Sequence, residues 1–177
     1  MAADRPYVAV VGGSVADGRV DEAAEAVGRG LARRGAIVVC GGLGGVMEAA
    51  CRGARDEGGT TLGILPGADR ADANPYVDVA VPTGMGEARN ALVVRAADAL
   101  VAVAGEFGTL SEIALALRLD KPVVGVWTWE LARAGRAVDA IVRVDDPDQA
   151  AERAVALARG AADLRRIGSG KGPDLAP

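Results

Sequence analysis

The chain has 177 residues, of which 50% are apolar and only 3% aromatic, and it carries a net charge of −4 and no histidine. This length fits one domain with a core of small apolar residues, and the missing histidine excludes Ser-His-Asp triads, histidine general bases and histidine zinc sites. The acidic balance argues against nucleic-acid partners, and no apolar run approaches the roughly 20 residues that cross a membrane, so neither partner is expected.

Strand-like and helix-like segments alternate along the chain from residue 7 onward. Short apolar runs rich in valine predict buried parallel strands at 7–11, 36–40, 60–65, 77–81, 99–103, 122–126 and 140–144. Apolar residues at helical spacing predict helices at 21–34, 46–57, 87–97, 113–119 and 147–158. This alternation predicts an α/β fold of three layers, Rossmann-like, with an open, mostly parallel sheet and helices on both faces.

The folded part is expected to end with the last predicted helix. Residues 1–159 are predicted to form a single Rossmann-like domain, and 160–177 a flexible C-terminal tail, because the chain becomes polar and loses its period from Gly160 onward. The Gly170-Lys171 pair in this tail is not expected to be a P-loop, since no strand is predicted before it and no helix after it.

Glycine-rich turns follow three of the predicted strands. They are Gly12-Gly13-Ser14, Gly41-Gly42-Leu43-Gly44-Gly45 and Gly105-Glu106-Phe107-Gly108-Thr109. Right-handed crossovers bring such turns to one rim of a parallel sheet, where α/β proteins bind ligands. The candidate ligand-binding residues of these turns are Gly13, Ser14, Gly42, Gly44, Gly45, Gly105, Gly108 and Thr109. Taken alone, the first two turns are weak signals, and Ser14 could simply cap a turn.

The third turn is the best candidate cradle for a phosphate. It lies between a strand and a helix that begins near Thr109, so backbone N–H groups are expected to be free at the helix start. The alternative is a purely structural capping box, in which Thr109 is the N-cap and Glu112 the third helical residue. Glu106 would repel a phosphate unless its side chain pointed away.

Arg89 and Asn90 lie near the start of the helix predicted at 87–97. An arginine can hold a phosphate or a ribose hydroxyl through its forked donors. The alternative is an exposed Arg89 paired with Glu87 or Asp98. Trp127 and Trp129, after the strand at 122–126, could stack on a base, line a subunit contact or pack in the core.

Cys40 and Cys51 are the only thiols of the chain. Their number and spacing fit neither a disulfide framework nor a metal site, so both are expected to be small buried side chains in a reducing compartment. The N-terminus lacks the apolar segment of a signal peptide, which predicts a cytoplasmic protein. No metal and no resident cofactor are expected.

Five motifs occur in the order and spacing of a known group, over residues 7 to 158. They are Gly12-Gly13-Ser14, Gly41 to Glu48, Gly63 to Gly67, Arg89-Asn90 and Gly108 to Glu112. Together they resemble the Lonely Guy-like (lysine-decarboxylase-like) Rossmann superfamily, most closely its molybdenum-cofactor-carrier-like branch.

The enzymes of that superfamily are phosphoribohydrolases, which cut the N-glycosidic bond of a nucleoside monophosphate. The resemblance implies that Arg89 and Glu112 are catalytic and that Gly108 and Thr109 hold the 5′-phosphate. The chain departs from the P-G-G-x-G-T-x-x-E hallmark, with Ala104-Gly105-Glu106 in place of P-G-G, and Asn90 replaces a lysine. Carrier members of the superfamily bind a phosphorylated pterin without cleaving it, so these departures favour a carrier.

The expected function is therefore binding of a nucleoside 5′-monophosphate or a similar phosphorylated ligand, with hydrolysis to free base and ribose 5-phosphate. The alternative is a non-catalytic carrier of molybdenum cofactor or another phosphorylated ligand. A third interpretation is a scaffold whose turns are only structural. The partner is thus an AMP-like or pterin-type small molecule, and the resemblance also implies a homodimer.

Overall fold

The computed structural model describes residues 5–168, which are built around a seven-stranded parallel sheet. The strands are β1 (Tyr7–Gly12), β2 (Ile37–Cys40), β3 (Thr60–Leu65), β4 (Val79–Pro82), β5 (Ala99–Val103), β6 (Val123–Val126), β7 (Leu131–Arg133), β8 (Arg136–Val138) and β9 (Val142–Arg143). The sheet order is β4-β3-β2-β1-β5-β6-β9, while β7 and β8 pair as a separate antiparallel hairpin. Every neighbouring pair in the large sheet is parallel.

Helices cover both faces of this sheet. They are α1 (Gly18–Arg33), α2 (Val46–Asp56), α3 (Asn90–Ala96), α4 (Phe107–Arg118) and α5 (Pro147–Gly168), with 3₁₀ turns at Arg70–Asp72 and Gly86–Arg89. One apolar cluster joins the sheet to α1, α2 and α5, and a second joins it to α3 and α4. The predicted three-layer α/β architecture is therefore confirmed.

The central strands are buried on both faces, which explains their uninterrupted apolar sequence. In β1, Val8 and Val10 belong to one cluster, whereas Ala9 and Val11 belong to the other. Strands β2, β3 and β4 lie on one side of β1, and β5, β6 and β9 lie on the other. The order in which strands are added to the sheet therefore reverses between β1 and β5. Open α/β sheets bind their ligands in the crevice at the carboxyl ends of the strands at such a point.

Helices α1 and α2 pack with their backbones in direct contact. A Cβ atom at Gly28 would lie 1.9 Å from the carbonyl oxygen of Ala50, and one at Gly53 would lie 2.0 Å from that of Glu25. Arg52 adds ion pairs to Asp21 at 2.6 Å and to Glu25 at 2.8 Å. The glycines permit this approach, and the two helices are held as one unit.

Helix α4 begins earlier than predicted, at Phe107, and two further parts of the fold differ from the prediction. The hairpin of β7 and β8 was not predicted, because its strands have three residues each and are mostly exposed. The last helix begins after Asp146, whose side chain caps it by accepting N–H bonds from Asp148 and Gln149. It continues to Gly168 and not to the predicted end at 158.

The longer helix has a compositional reason. Ala161, Ala162 and Leu164 are strong helix formers, and a single interior glycine such as Gly160 costs only about 1 kcal/mol. The part of the predicted tail at 160–168 is therefore helical, and the part at 169–177 lies outside the described residues. Among residues 5–168, no helix is long and apolar enough to cross a membrane.

The two cysteines are buried, as predicted. Their Sγ atoms lie 3.4 Å apart, between the end of β2 and the middle of α2, and both are free thiols. They join Met47 in a small apolar cluster under the glycine-rich turn that follows β2.

Candidate functional site

A cavity of about 320 Å³ opens at the carboxyl ends of β1 and β5. Its walls are the turns after β1 and β2, the 3₁₀ turn at Gly86–Arg89 and the first turns of α4. The predicted site residues that line it are Gly13, Ser14, Arg89, Asn90, Gly108, Thr109 and Glu112. The topology thus brings together residues that are up to a hundred positions apart in the sequence.

Four predicted ligand-binding glycines do not line this cavity: Gly42, Gly44, Gly45 and Gly105. Gly45 joins the first two turns, because a Cβ there would lie 2.4 Å from the carbonyl oxygen of Gly13. At Gly105, φ is +99° and a Cβ would lie 2.4 Å from Oγ1 of Thr109. These glycines shape the turns around the cavity.

Helix α4 begins at Phe107, with Glu106 as its N-cap, and the Glu106 side chain makes no capping hydrogen bond to the described residues. Thr109 is consequently the third helical residue and Glu112 lies in the second turn, so the capping box considered above is wrong. The helix starts at Phe107, before Thr109, because the chain makes a sharp turn at Gly105, immediately after the end of β5. The first N–H groups of a helix have no partner within it, and two residues of this first turn, Gly108 and Thr109, line the cavity.

Arg89 is the cation of this cavity, and its side chain is only 7% exposed. Its Nη1 donates to Oδ1 of Asn90 at 2.6 Å, while its Nε is buried and has no hydrogen-bond partner among the described residues. The alternative of an exposed Arg89 paired with Glu87 or Asp98 is therefore wrong. Room for the guanidinium comes from Gly41, where a Cβ would lie 2.5 Å from Nη2 of Arg89.

Glu112 is equally buried, at 7% exposure, and lines the same cavity. Burial raises the pKa of Glu112 to about 7, against the opposing effect of the Arg89 charge. Burial also lowers the pKa of Arg89, while the charge of Glu112 opposes that shift. The cavity thus combines a desolvated cation with a carboxyl group that changes its protonation state near neutral pH.

This raised pKa predicts a pH-dependent effect of Glu112→Gln on stability. The unfolded carboxyl loses its proton near pH 4.5, whereas the folded one keeps it until about pH 7. The contribution of Glu112 to wild-type stability therefore falls as pH rises between these values, by about 3 kcal/mol. The uncharged Glu112→Gln variant should match the wild type at pH 4.5 and exceed its unfolding free energy by a comparable amount at pH 8.

Urea unfolding at several pH values measures this difference. Glu22→Gln, at an exposed position on α1, is the matched control and should follow the wild type throughout. A constant difference between Glu112→Gln and the wild type from pH 4.5 to 8 would contradict the assignment of this titration to Glu112.

The aromatic residues lie beside the cavity. The ring of Trp129 is 5.4 Å from that of Phe107 between centroids, and its Nε1 donates to the carbonyl oxygen of Glu106 at 3.2 Å. Arg19 stacks on Trp127 at 3.9 Å. Both tryptophans are half-buried and pack against the core, Trp127 against the cluster of α1, α2 and α5 and Trp129 against that of α3 and α4.

Some lining residues were not among the predicted ligand contacts. Leu43, Met47, Glu87 and Glu106 also face the cavity. Glu87 was considered only as a partner of Arg89, although its position two residues before that arginine places it on the same 3₁₀ turn. Glu106 also lines the cavity, so the carboxylate that was expected from the sequence to repel a phosphate does lie near the site.

The chain belongs to the SLOG cluster4 family, whose model matches residues 5–151. An uncharacterised protein of Archaeoglobus fulgidus is 40% identical over 119 residues, which are 67% of this chain and 78% of that protein. These findings confirm the predicted resemblance to the Lonely Guy-like superfamily.

Solved structures with related folds include two that are described by the ligand they bind. The molybdenum cofactor binding protein of Rippkaea orientalis is 29% identical, with a TM-score of 0.77 over 95% of this chain and 100% of that chain. The molybdenum cofactor carrier protein of Chlamydomonas reinhardtii is 31% identical, with a TM-score of 0.69 over 93% and 99%.

Proposed function

We propose that this protein binds a phosphorylated small molecule in the 320 Å³ cavity, with the phosphate between Arg89 and the start of α4. The observation that carries the proposal is the buried Nε of Arg89, which has no hydrogen-bond partner in the part of the chain that the structure describes. A buried donor without a partner costs about 1–3 kcal/mol, more when it is charged. A phosphate oxygen would satisfy it, and the uncapped N–H groups of α4 would supply further donors to the same anion.

The ligand class that we favour is a phosphorylated pterin such as molybdenum cofactor, held without chemical change. The similarity to a molybdenum cofactor binding protein and a carrier protein, over nearly the full length of each, supports this choice. The residues fit such a cargo, because Arg89 and α4 suit its phosphate and the turns after β1 and β2 leave space beside them. In this role Glu112 in its protonated state avoids repelling the anion.

The second candidate is hydrolysis of a nucleoside 5′-monophosphate to free base and ribose 5-phosphate. The position of Glu112 beside Arg89, with a pKa of about 7, favours it. Cleavage at an anomeric carbon passes through an oxocarbenium-like state, which an ionised Glu112 would stabilise while it orients water. Arg89 would hold the phosphate so that this carbon lies near the carboxylate.

Ligand binding and turnover together separate these candidates. The purified protein is titrated with molybdopterin and with AMP, while chromatography follows any release of base. A carrier should bind molybdopterin, with about 2.7 kcal/mol of stabilisation at 100 times its Kd, and leave AMP intact. A hydrolase should release adenine from AMP, and Glu112→Ala should abolish the release.

The scaffold interpretation makes a different prediction for the same measurements. If neither compound nor inorganic phosphate stabilises the protein, the proposed phosphate site is wrong. The proposal also includes a homodimer, which rests on the family resemblance.

A further inference from the structure

Aromatic side chains are concentrated at one place in a chain that has very few of them. The protein contains one Phe, two Trp and two Tyr, and Phe107, Trp127 and Trp129 all lie at the rim beside the cavity. Phe107 is 77% exposed on the first residue of α4. A single exposed apolar side chain is ordinary, but here its ring packs at 43° on Trp129, which is itself bonded to Glu106. The Phe107 ring is therefore supported on one side by Trp129 while it remains exposed to solvent.

This ring forms one wall of a second cavity, of about 530 Å³, between the 3₁₀ turn at Gly86–Arg89 and α4. The second cavity shares Glu87, Asn90 and Gly108 with the first, so the two adjoin. A ligand whose phosphate lies at α4 would therefore extend its remaining part past Gly108 and along Phe107. The volume falls in the range of pockets that hold small organic ligands.

The polar groups of the second cavity have a defined hydrogen-bonding character. Oδ1 of Asn90 accepts from Arg89, which leaves the amide NH₂ of Asn90 to donate. Glu87 is exposed, its side chain has no hydrogen-bond or ion-pair partner within residues 5–168, and its carboxylate, when ionised, can only accept. The two side chains are three positions apart across a helical turn and so lie on one face. The cavity therefore presents one donor, the NH₂ group of Asn90, beside two acceptors, the carboxylate oxygens of Glu87.

We propose that the second cavity is the ring subsite of the ligand, in which Phe107 stacks on a planar 2-amino-4-oxo heterocycle. Glu87 accepts from the ring N–H and the 2-amino group, and Asn90 donates to the 4-oxo group. Pterins and guanine share this edge, whereas adenine presents an amino donor beside a ring-nitrogen acceptor, which Glu87 would repel. This inference rests on the proposed phosphate site, which would hold the other end of the ligand.

Calorimetric titration with five probes tests this subsite: inorganic phosphate, ribose 5-phosphate, AMP, GMP and neopterin monophosphate. We expect GMP to bind about tenfold to a hundredfold more tightly than AMP, as hydrogen bonds to a charged group imply. Glu87→Gln should remove most of this preference, and the measured quantity is the ratio of the GMP and AMP affinities within the same variant, because Glu87 also lines the first cavity and its charge acts on the phosphate of both ligands. Whichever of GMP and neopterin monophosphate binds more tightly shows whether the subsite is made for a guanine or for a pterin ring.

Phe107→Ala should weaken GMP and AMP alike, by about tenfold, because stacking does not depend on the base edge. It should not change the affinity for ribose 5-phosphate, which has no ring to stack. Glu152→Gln, at an exposed position on α5 away from both cavities, is the matched control for Glu87→Gln. Phe107→Leu keeps an apolar side chain and should restore only part of the loss.

Equal affinity of the wild type for GMP and AMP would overturn the edge assignment. An unchanged GMP affinity in Phe107→Ala would overturn the stacking role. If ribose 5-phosphate binds in either case, the phosphate site stands and only the ring subsite fails. If neither inorganic phosphate nor ribose 5-phosphate binds, the phosphate site fails and the ring subsite fails with it.

Discussion

Arg89→Met should weaken binding of any phosphorylated ligand by about a hundredfold or more, equivalent to roughly 2.7 kcal/mol, without destabilising the fold. The guanidinium is the buried cation of the cavity, and removal of a buried charge partner costs binding heavily. Stability should instead stay level or rise by about 1 kcal/mol, because methionine fills the space and removes a desolvated charge whose Nε is unpartnered. Glu112 then remains protonated over a wider pH range, so no unpaired anion replaces the lost cation.

Ligand titration and urea unfolding of the same variant check both parts of this result. Arg95→Met is the control, since Arg95 is exposed on α3 and lines neither cavity. A folded Arg89→Met protein that binds phosphate as the wild type does would disprove the ligand role. A variant that loses both binding and several kcal/mol of stability would identify Arg89 as structural.

Gly28→Ala should lower the unfolding free energy by about 3 kcal/mol, at the upper end of the usual cost of overpacking. The added Cβ would lie 1.9 Å from the carbonyl oxygen of Ala50 and 2.7 Å from its carbonyl carbon. Both atoms belong to the backbone of α2, so no side chain can rotate away and the helices must separate. Gly53→Ala, which meets the backbone of Glu25 at 2.0 Å, should behave in the same way.

Gly160→Ala is the matched control for this effect. It lies in α5, with nothing within 4 Å of an added Cβ. Alanine should stabilise this helix by about 0.5–1 kcal/mol, because glycine loses more backbone entropy on folding. Equal stability of Gly28→Ala and Gly160→Ala in urea unfolding would refute the backbone contact between α1 and α2.

Much of the site could be predicted because its position follows from topology. Parallel strands joined by right-handed crossovers place their carboxyl ends on one rim, so the turns at Gly13 and Gly108 had to lie near each other. The strands at 60–65 and 99–103 were predicted at their observed bounds, and in the second of them every residue is buried, so the apolar run coincides with the strand. The family resemblance then indicated Arg89 and Glu112 as members of the same site.

The remaining features depend on tertiary contacts that local patterns do not encode. The T-x-x-E spacing at Thr109 suggested a capping box, but the start of α4 is set by the left-handed Gly105 and by packing on β5. Arg89 looked suited to the surface, and only the space left by Gly41 allows its burial. The contact between Phe107 and Trp129 was not predicted, because the two residues are separated in the sequence and are brought together by the pairing of β5 with β6.

The backbone contact between α1 and α2 has a consequence for how this binding site can change. The turn after β1 leads into α1 and the turn after β2 leads into α2, so these two turns cannot shift independently. The opposite wall carries Glu87, Arg89, Phe107 and Glu112, and its helices α3 and α4 meet the sheet through side chains. Evolution or engineering of a new ligand preference should therefore replace residues of the second wall, while the first serves as a fixed template across different cargoes.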